Sequence, residues 1–276
     1  MSVRPSEVAG TFYPNKAEEI NKFLSQIVLF EERRINKNLR PGQIIGGIVP
    51  HAGYEYSANE AVHFFHFLKD TSEIIDTFII INPSHSGAKE EVSLDAHEKW
   101  NTPLGDIMLD AALMDFMDIP KSFDAQQGEH SAEVILPYLQ YFLDYEFKII
   151  PITMRKQNYK SSRNLAEKIF KANQVQKSKI AIIASSDFSH YERPEVGFYN
   201  DNLVINRILN NRIHELYDTI HENNISVCGY GPIMTLMFYS RMINSNYNVE
   251  ILARGNSAKH SFEEFVVDYV SALFYC

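Results

Sequence analysis

Three segments join an apolar run to groups that ligate metals or move protons. IIGGIV (44–49) runs into PHAGY with His51, TFIIIN (77–82) runs into PSHSG with His85, and KIAIIAS (179–185) runs into SDFSH with Asp187 and His190. Ligands of open α/β sheets bind beyond the carboxyl ends of parallel strands, so residues just past those ends converge although far apart in sequence. Pro50 and Pro83 are expected to stop their strands, and Gly53 and Gly87 to let the backbone turn sharply beside a ligand.

Two helix starts can join the same crevice. GEHSAEVILPYLQYF sets His130 before an apolar helix, where the dipole lowers an imidazole pKa and suits it to proton transfer. NNISVCGYGPIMTLMFYS sets Cys228 in a Gly-rich turn before another helix, a setting that lowers a thiol pKa and makes it a better ligand or nucleophile. Singly, a strand-end histidine is more often a structural hydrogen-bonder and a lone cysteine a small core residue. Convergence changes that weighting, because neutral imidazole and thiolate are donors that first-row transition metals take. The expectation is one shared metal site.

The remaining candidates are weaker. His63 and His66, three apart in EAVHFFHFL, could bind metal on one helical face, but aromatics lie between them and no carboxylate partner is in view, so they are read as packing residues. Tyr54 could reach a substrate hydroxyl or form a wall. His97, His214, His221 and His260 lie in polar surroundings and are read as surface or loop residues; the aromatics at 138–147 and 262–275 are read as core. No Walker loop, dinucleotide-binding glycine turn or nucleophile elbow is present.

Short β-branched runs alternating with amphipathic segments must position these groups. The strands are predicted at 44–49, 77–82, 147–153, 179–185 and 265–275, with helices at 17–29, 57–69, 108–117, 131–143, 161–172, 198–210 and 231–243. This is the pattern of one α/β domain over 1–276, a mostly parallel central sheet layered between helices. The charged stretch at 31–43 reads as a solvated loop and not a boundary. With 276 residues and 45% hydrophobic content the chain can bury a large core, while a net charge of −9 argues against nucleic-acid partners. No apolar run is long enough to span a membrane or serve as a leader, and two cysteines suit a reducing compartment; the expected location is the cytoplasm.

PHAGY, NPSHSG, DAQQGEHSAEVILPYL, SSDFSHY and CGYGP, in that order and spacing, resemble the Memo family, known in prokaryotes as AmmeMemoRadiSam system protein B. The resemblance runs from VRPSEVAGTFYP to the final strand. It implies a fold similar to the class III extradiol ring-cleaving dioxygenases and a redox metal, iron or copper. The metal-site residues it implies are His51, His85 and Cys228, with Asp187 and His190 lining the pocket. Asp187 would orient a ligand or His190, and His190 or His130 would exchange protons. Extradiol enzymes use two histidines and a carboxylate, so a cysteine in the third place weakens the oxygenase reading and lets zinc compete. The function inferred is a metal-dependent oxidoreductase of unknown substrate. The alternatives are a module binding a peptide or partner protein in the same pocket, and a zinc hydrolase with His190 as base. The family name also implies a link to a radical S-adenosylmethionine protein.

Overall fold

The apolar runs form strands because they are too short for buried helices and rich in β-branched residues, and every residue of Ile44–Val49, Thr77–Pro83 and Ile180–Ser185 is buried. The computed structural model describes residues 1–36, 38–71, 74–259 and 264–276. Its first half runs β1 (Val3–Arg4), α1 (Ala17–Glu31), β2 (Ile44–Val49), α2 (Tyr54–Asp70), β3 (Thr77–Pro83), β4 (Val92–Asp95), β5 (Lys99–Thr102) and β6 (Gly105–Met108). There follow α3 (Ala111–Met114), β7 (Lys121–Ser122), α4 (Leu136–Phe142), β8 (Lys148–Met154), α5 (Tyr159–Gln176), β9 (Ile180–Ser185) and β10 (His190–Glu192). The last are α6 (Pro194–Leu209), α7 (Ile213–Glu222), α8 (Tyr230–Ile243), β11 (Asn248–Asn256) and β12 (Val266–Tyr275).

Four parallel strands, β2, β9, β3 and β8, form the centre of the main sheet in that order. β12 adds antiparallel to β2 and β4 antiparallel to β8, so the sheet is mostly parallel with antiparallel flanks. α2 packs on β2, β11 and β12 with α1 and α4 beside it, whereas α8 packs on β2, β3 and β9 with α5 and α7 beside it. These are the two helical layers. A Cβ on Gly47 would lie 2.3 Å from the Phe64 ring, so a glycine in β2 is what lets α2 settle there.

Two expected helices change form. Of 108–117 only Ala111–Met114 is helical, because Gly105–Met108 pairs antiparallel with Lys99–Thr102 and Asp110 then caps the short helix at Leu113 N. Of 131–143, residues Glu133–Ile135 form a 3-10 turn and the α-helix begins at Leu136. The N-terminal segment fixes that turn. Arg4, buried with its guanidinium over the Trp100 ring 4.1 Å from the centroid, donates to Glu133 Oε2 at 2.6 Å and to the carbonyls of Gln126 and Glu129, while Tyr13 Oη and the backbone of Glu7 and Val8 also donate to Glu133. The loop carrying Glu129 and His130 is thereby fastened to the start of the chain. His260 and the first residues of the 262–275 aromatic group lie outside the described residues.

Candidate metal centre

β2, β9 and β3 are neighbours, with Val49 opposite Ser185 and Ile81 opposite Ala184, so their carboxyl ends are level. His51, Asp187 and His85 follow those ends and meet. Cys228 arrives from the opposite helical layer, in the turn before α8. A Cβ on Gly229 would lie 2.4 Å from the Ser185 carbonyl oxygen and 2.5 Å from Ser186 Cβ, so only glycine allows the turn to approach the end of β9 this closely. Gln157 holds the turn from outside, donating to the Cys228 carbonyl at 2.8 Å and accepting from Gly231 N at 2.7 Å.

His51 Nε2 lies 3.3 Å from Cys228 Sγ, and the His51 and His85 ring centroids are 5.2 Å apart. His51, His85 and Cys228 each offer a ligand atom within 4.8 Å of the others, a set that could hold a metal ion; His85, Glu129 and His130 form an overlapping second set. His51 is 2% exposed, but the His85 side chain is 35% exposed, so the centre opens on the His85 side.

Hydrogen bonding decides which nitrogens are free. Ser185 Oγ donates its single proton to the Ser131 carbonyl at 2.6 Å, so at 2.8 Å from His51 Nδ1 it must accept from Nδ1–H. His85 Nδ1 donates to Glu129 Oε1 at 2.9 Å. Burial would push the Glu129 carboxyl up, yet hydrogen bonds from His85 and Ser131 outweigh it and hold the group well below the usual carboxylate range. Both imidazoles therefore turn an Nε2 lone pair outward. Burial, then the neighbouring His130 and His85, holds His51 well below the ordinary histidine range, so it is neutral near pH 7.

The structure corrects the electrostatic expectations at the two helix starts. Burial first, then the Asp187 carboxylate, pushes the Cys228 thiol well above its ordinary value. Desolvation exceeds what a helix start offers a thiolate. His130 is lowered as expected, but chiefly by burial, and the α-helix begins only at Leu136. Its ring stacks on His85 at 4.8 Å and approaches His51 at 5.4 Å, with Phe12 on it at 4.5 Å.

Asp187 does not orient His190. Its Oδ1 accepts from His51 N at 2.8 Å, its Oδ2 lies 4.0 Å from His51 Nε2, and its backbone N–H points to Cys228 Sγ at 3.2 Å. Burial pushes its carboxyl up to about 6, opposed by the backbone N–H groups of His51 and Ala52 and by His190. His190 is tied elsewhere, its Nδ1 at 2.7 Å from the Ser226 carbonyl and its N–H on Ser226 Oγ, and it belongs to neither ligand set. Tyr54 is a core residue, its hydroxyl given to the Val134 carbonyl at 3.1 Å and its ring stacked on Tyr138. Gly53 has an ordinary φ of −55°, whereas Gly87 does sit at φ +82°.

His63 packs as expected, but a carboxylate partner exists: Glu31 Oε2 of α1, 3.1 Å from Nε2. His66 pairs with Asp70, and His97 with Asp95. His214 and His221 sit exposed on α7. Sequence reasoning passed over Glu129, Ser131 and Ser185. The first two flank His130 in the same EHS triplet, and the third closes an apolar strand with a hydroxyl; those were the available signals.

The family model described as Memo-like protein matches residues 4–273. The chain belongs to the Memo family. It is 36% identical over 290 residues to a MEMO1 family protein of Methanobrevibacter smithii and 35% identical over 291 residues to one of Sulfurisphaera tokodaii, in each case across 99% of both chains. A solved structure of an uncharacterised protein from Escherichia coli K12 superposes with a TM-score of 0.49 at 12% identity, covering 84% of this chain and 99% of that one. The donors and burial described above come from this molecule's own packing. Among the described residues no helix is long and apolar enough to cross a membrane.

Proposed function

We propose that this Memo family protein binds one first-row transition-metal ion, iron or copper with zinc as a competitor, through His51 Nε2, His85 Nε2 and Cys228 Sγ, and serves as a metal-dependent oxidoreductase on a small substrate. The observation that carries this reading is the 3.3 Å approach of His51 Nε2 to Cys228 Sγ with the His85 donor in the same cluster. Metal–nitrogen and metal–sulfur bonds of about 2.0 and 2.3 Å set neighbouring ligand atoms roughly 3.3–3.7 Å apart, so the pair already has the needed separation. When bound, the metal would supply electron transfer or polarisation of an oxygen ligand.

The protein's own part can be read from its contacts. Ser185 and Glu129 hold the two imidazoles with Nε2 outward, as groups behind a ligand commonly do. His130, stacked on His85 and 21% exposed, stands where a ligand entering from the open side could exchange a proton with its ring. Phe12, against His130, gives that side an apolar wall.

Oxygen consumption by metal-loaded protein with catechol-like compounds tests the redox role. Uptake above that of His51→Ala supports it. No uptake at full metal loading would overturn it and leave a pocket that binds a peptide or partner side chain.

A further inference from the structure

Both ligand imidazoles are held through one residue, Ser131. It is 0% exposed, and its polar atoms are divided between the two sides of the centre. The carbonyl accepts from Ser185 Oγ at 2.6 Å, and Ser185 in turn receives the His51 Nδ1 proton. Its N–H and Oγ both donate to Glu129 Oε1, at 3.1 and 2.6 Å, and the same oxygen receives the His85 Nδ1 proton. The other Glu129 oxygen accepts from the backbone of His85 and Ser86. A hydroxyl has one proton to give; at 3.4 Å the Pro83 carbonyl is a much poorer acceptor for Ser131 Oγ than Glu129.

We propose that Ser131 is the positioning residue of this site, setting the Nδ1–H tautomer of His51 through its carbonyl and Ser185, and placing the Glu129 carboxylate that receives the His85 Nδ1 proton through its hydroxyl and N–H. The proposal rests on the metal reading only for its purpose. The hydrogen-bond relay belongs to the metal-free protein. Because the two arms leave from different atoms, they can be cut separately: Ser185→Ala breaks the His51 arm, and Ser131→Ala weakens the His85 arm while leaving the carbonyl in place.

Imidazole nitrogen NMR of the metal-free protein at pH 8 reads the tautomers directly. The wild type is expected to show Nδ1–H at both His51 and His85. Ser131→Ala should leave His85 as Nδ1–H, because Glu129 still accepts from it, but shift the His85 imidazole nitrogen resonances as the carboxylate moves, with His51 unchanged; Ser185→Ala should turn His51 into a tautomer mixture with His85 unchanged. Cobalt(II) titration of the same variants should show affinity falling about 10- to 100-fold. An Nε2–H tautomer at either histidine in the wild type overturns the proposal, and that measurement needs no variant to fold. His85 imidazole nitrogen resonances identical to wild type in Ser131→Ala overturn it as well. Correct tautomers with no cobalt binding in any form would instead count against the metal reading and leave the relay standing.

Discussion

His51 Nε2 and Cys228 Sγ lie 3.3 Å apart across 177 residues of chain. Two separate packings bring this about. His51 is delivered by the end of β2 in the sheet, and Cys228 by the turn before α8 in one of the helical layers. The distance therefore reports how closely that layer seats on the strand ends.

Gly229 controls the seating. Its backbone is ordinary, at φ −106°, so a side chain there is opposed only by contacts, 2.4 Å to the Ser185 carbonyl oxygen. Gly229→Ala is expected to push the turn away, lowering stability by about 1–3 kcal/mol and weakening cobalt(II) binding more than an equally destabilising core substitution does. Chemical denaturation and metal titration of the pair check this.

Arg4 and Glu133 are both buried and meet at 2.6 Å. Arg4→Ala strands a buried carboxylate and is expected to cost about 3–5 kcal/mol, measured by urea unfolding. Glu133 also holds Tyr13 and the backbone of residues 7 and 8, so Glu133→Ala should loosen the N-terminal segment, seen as faster amide exchange at Glu7 and Val8.

His63 provides the contrast. Its partners are Glu31 and the network of α1 and α2, away from the candidate metal centre. His63→Ala should lower stability by about 1–3 kcal/mol because Glu31 Oε2 loses its partner while Asn59 and Arg34 still hold Oε1, with metal content unchanged. Loss of metal in this variant would contradict the assignment of ligands.

Asp268 gives the stability a pH dependence. Burial, then the neighbouring Asp201 carboxylate, pushes its carboxyl up to about 7, opposed by Asn256 and Arg254. An unfolded aspartate titrates near 3.9, so between about pH 4 and 7 the folded state holds a proton that the unfolded chain has released. The associated stability is complete below about pH 4 and is lost as pH rises through about 7. Asp268→Asn should flatten that slope and be more stable than wild type at pH 8, by on the order of 1–3 kcal/mol in urea titrations at several pH values.

The central strands were legible because strands buried on both faces read as unbroken β-branched runs: IIGGIV is β2 without adjustment, and the other predicted strands shift by a residue or so. β11, NVEILARGN, was not legible; it is half-buried along nearly its whole length and so shows no alternation. α7 was missed although Ile213, Leu216 and Ile220 recur at helical spacing, because it spans only ten residues between Asn-rich turns. The three candidate ligands were readable as strand-end and helix-start residues, since topology alone makes such positions converge. Glu129, Ser131 and Ser185 were not, because a residue that acts through another shows its role only when the hydrogen bonds are seen. The charge state of Cys228 also escaped, since burial depends on what packs over the turn and not on the turn itself.

Metal analysis of protein purified without an affinity tag tests the shared centre most directly. Close to one transition-metal ion per chain is expected in the wild type, with loss of that metal in each of His51→Ala, His85→Ala and Cys228→Ala, all three still folded. Metal retained undiminished in all three variants, or a folded wild type that takes up no iron, copper or zinc when they are supplied, would contradict it.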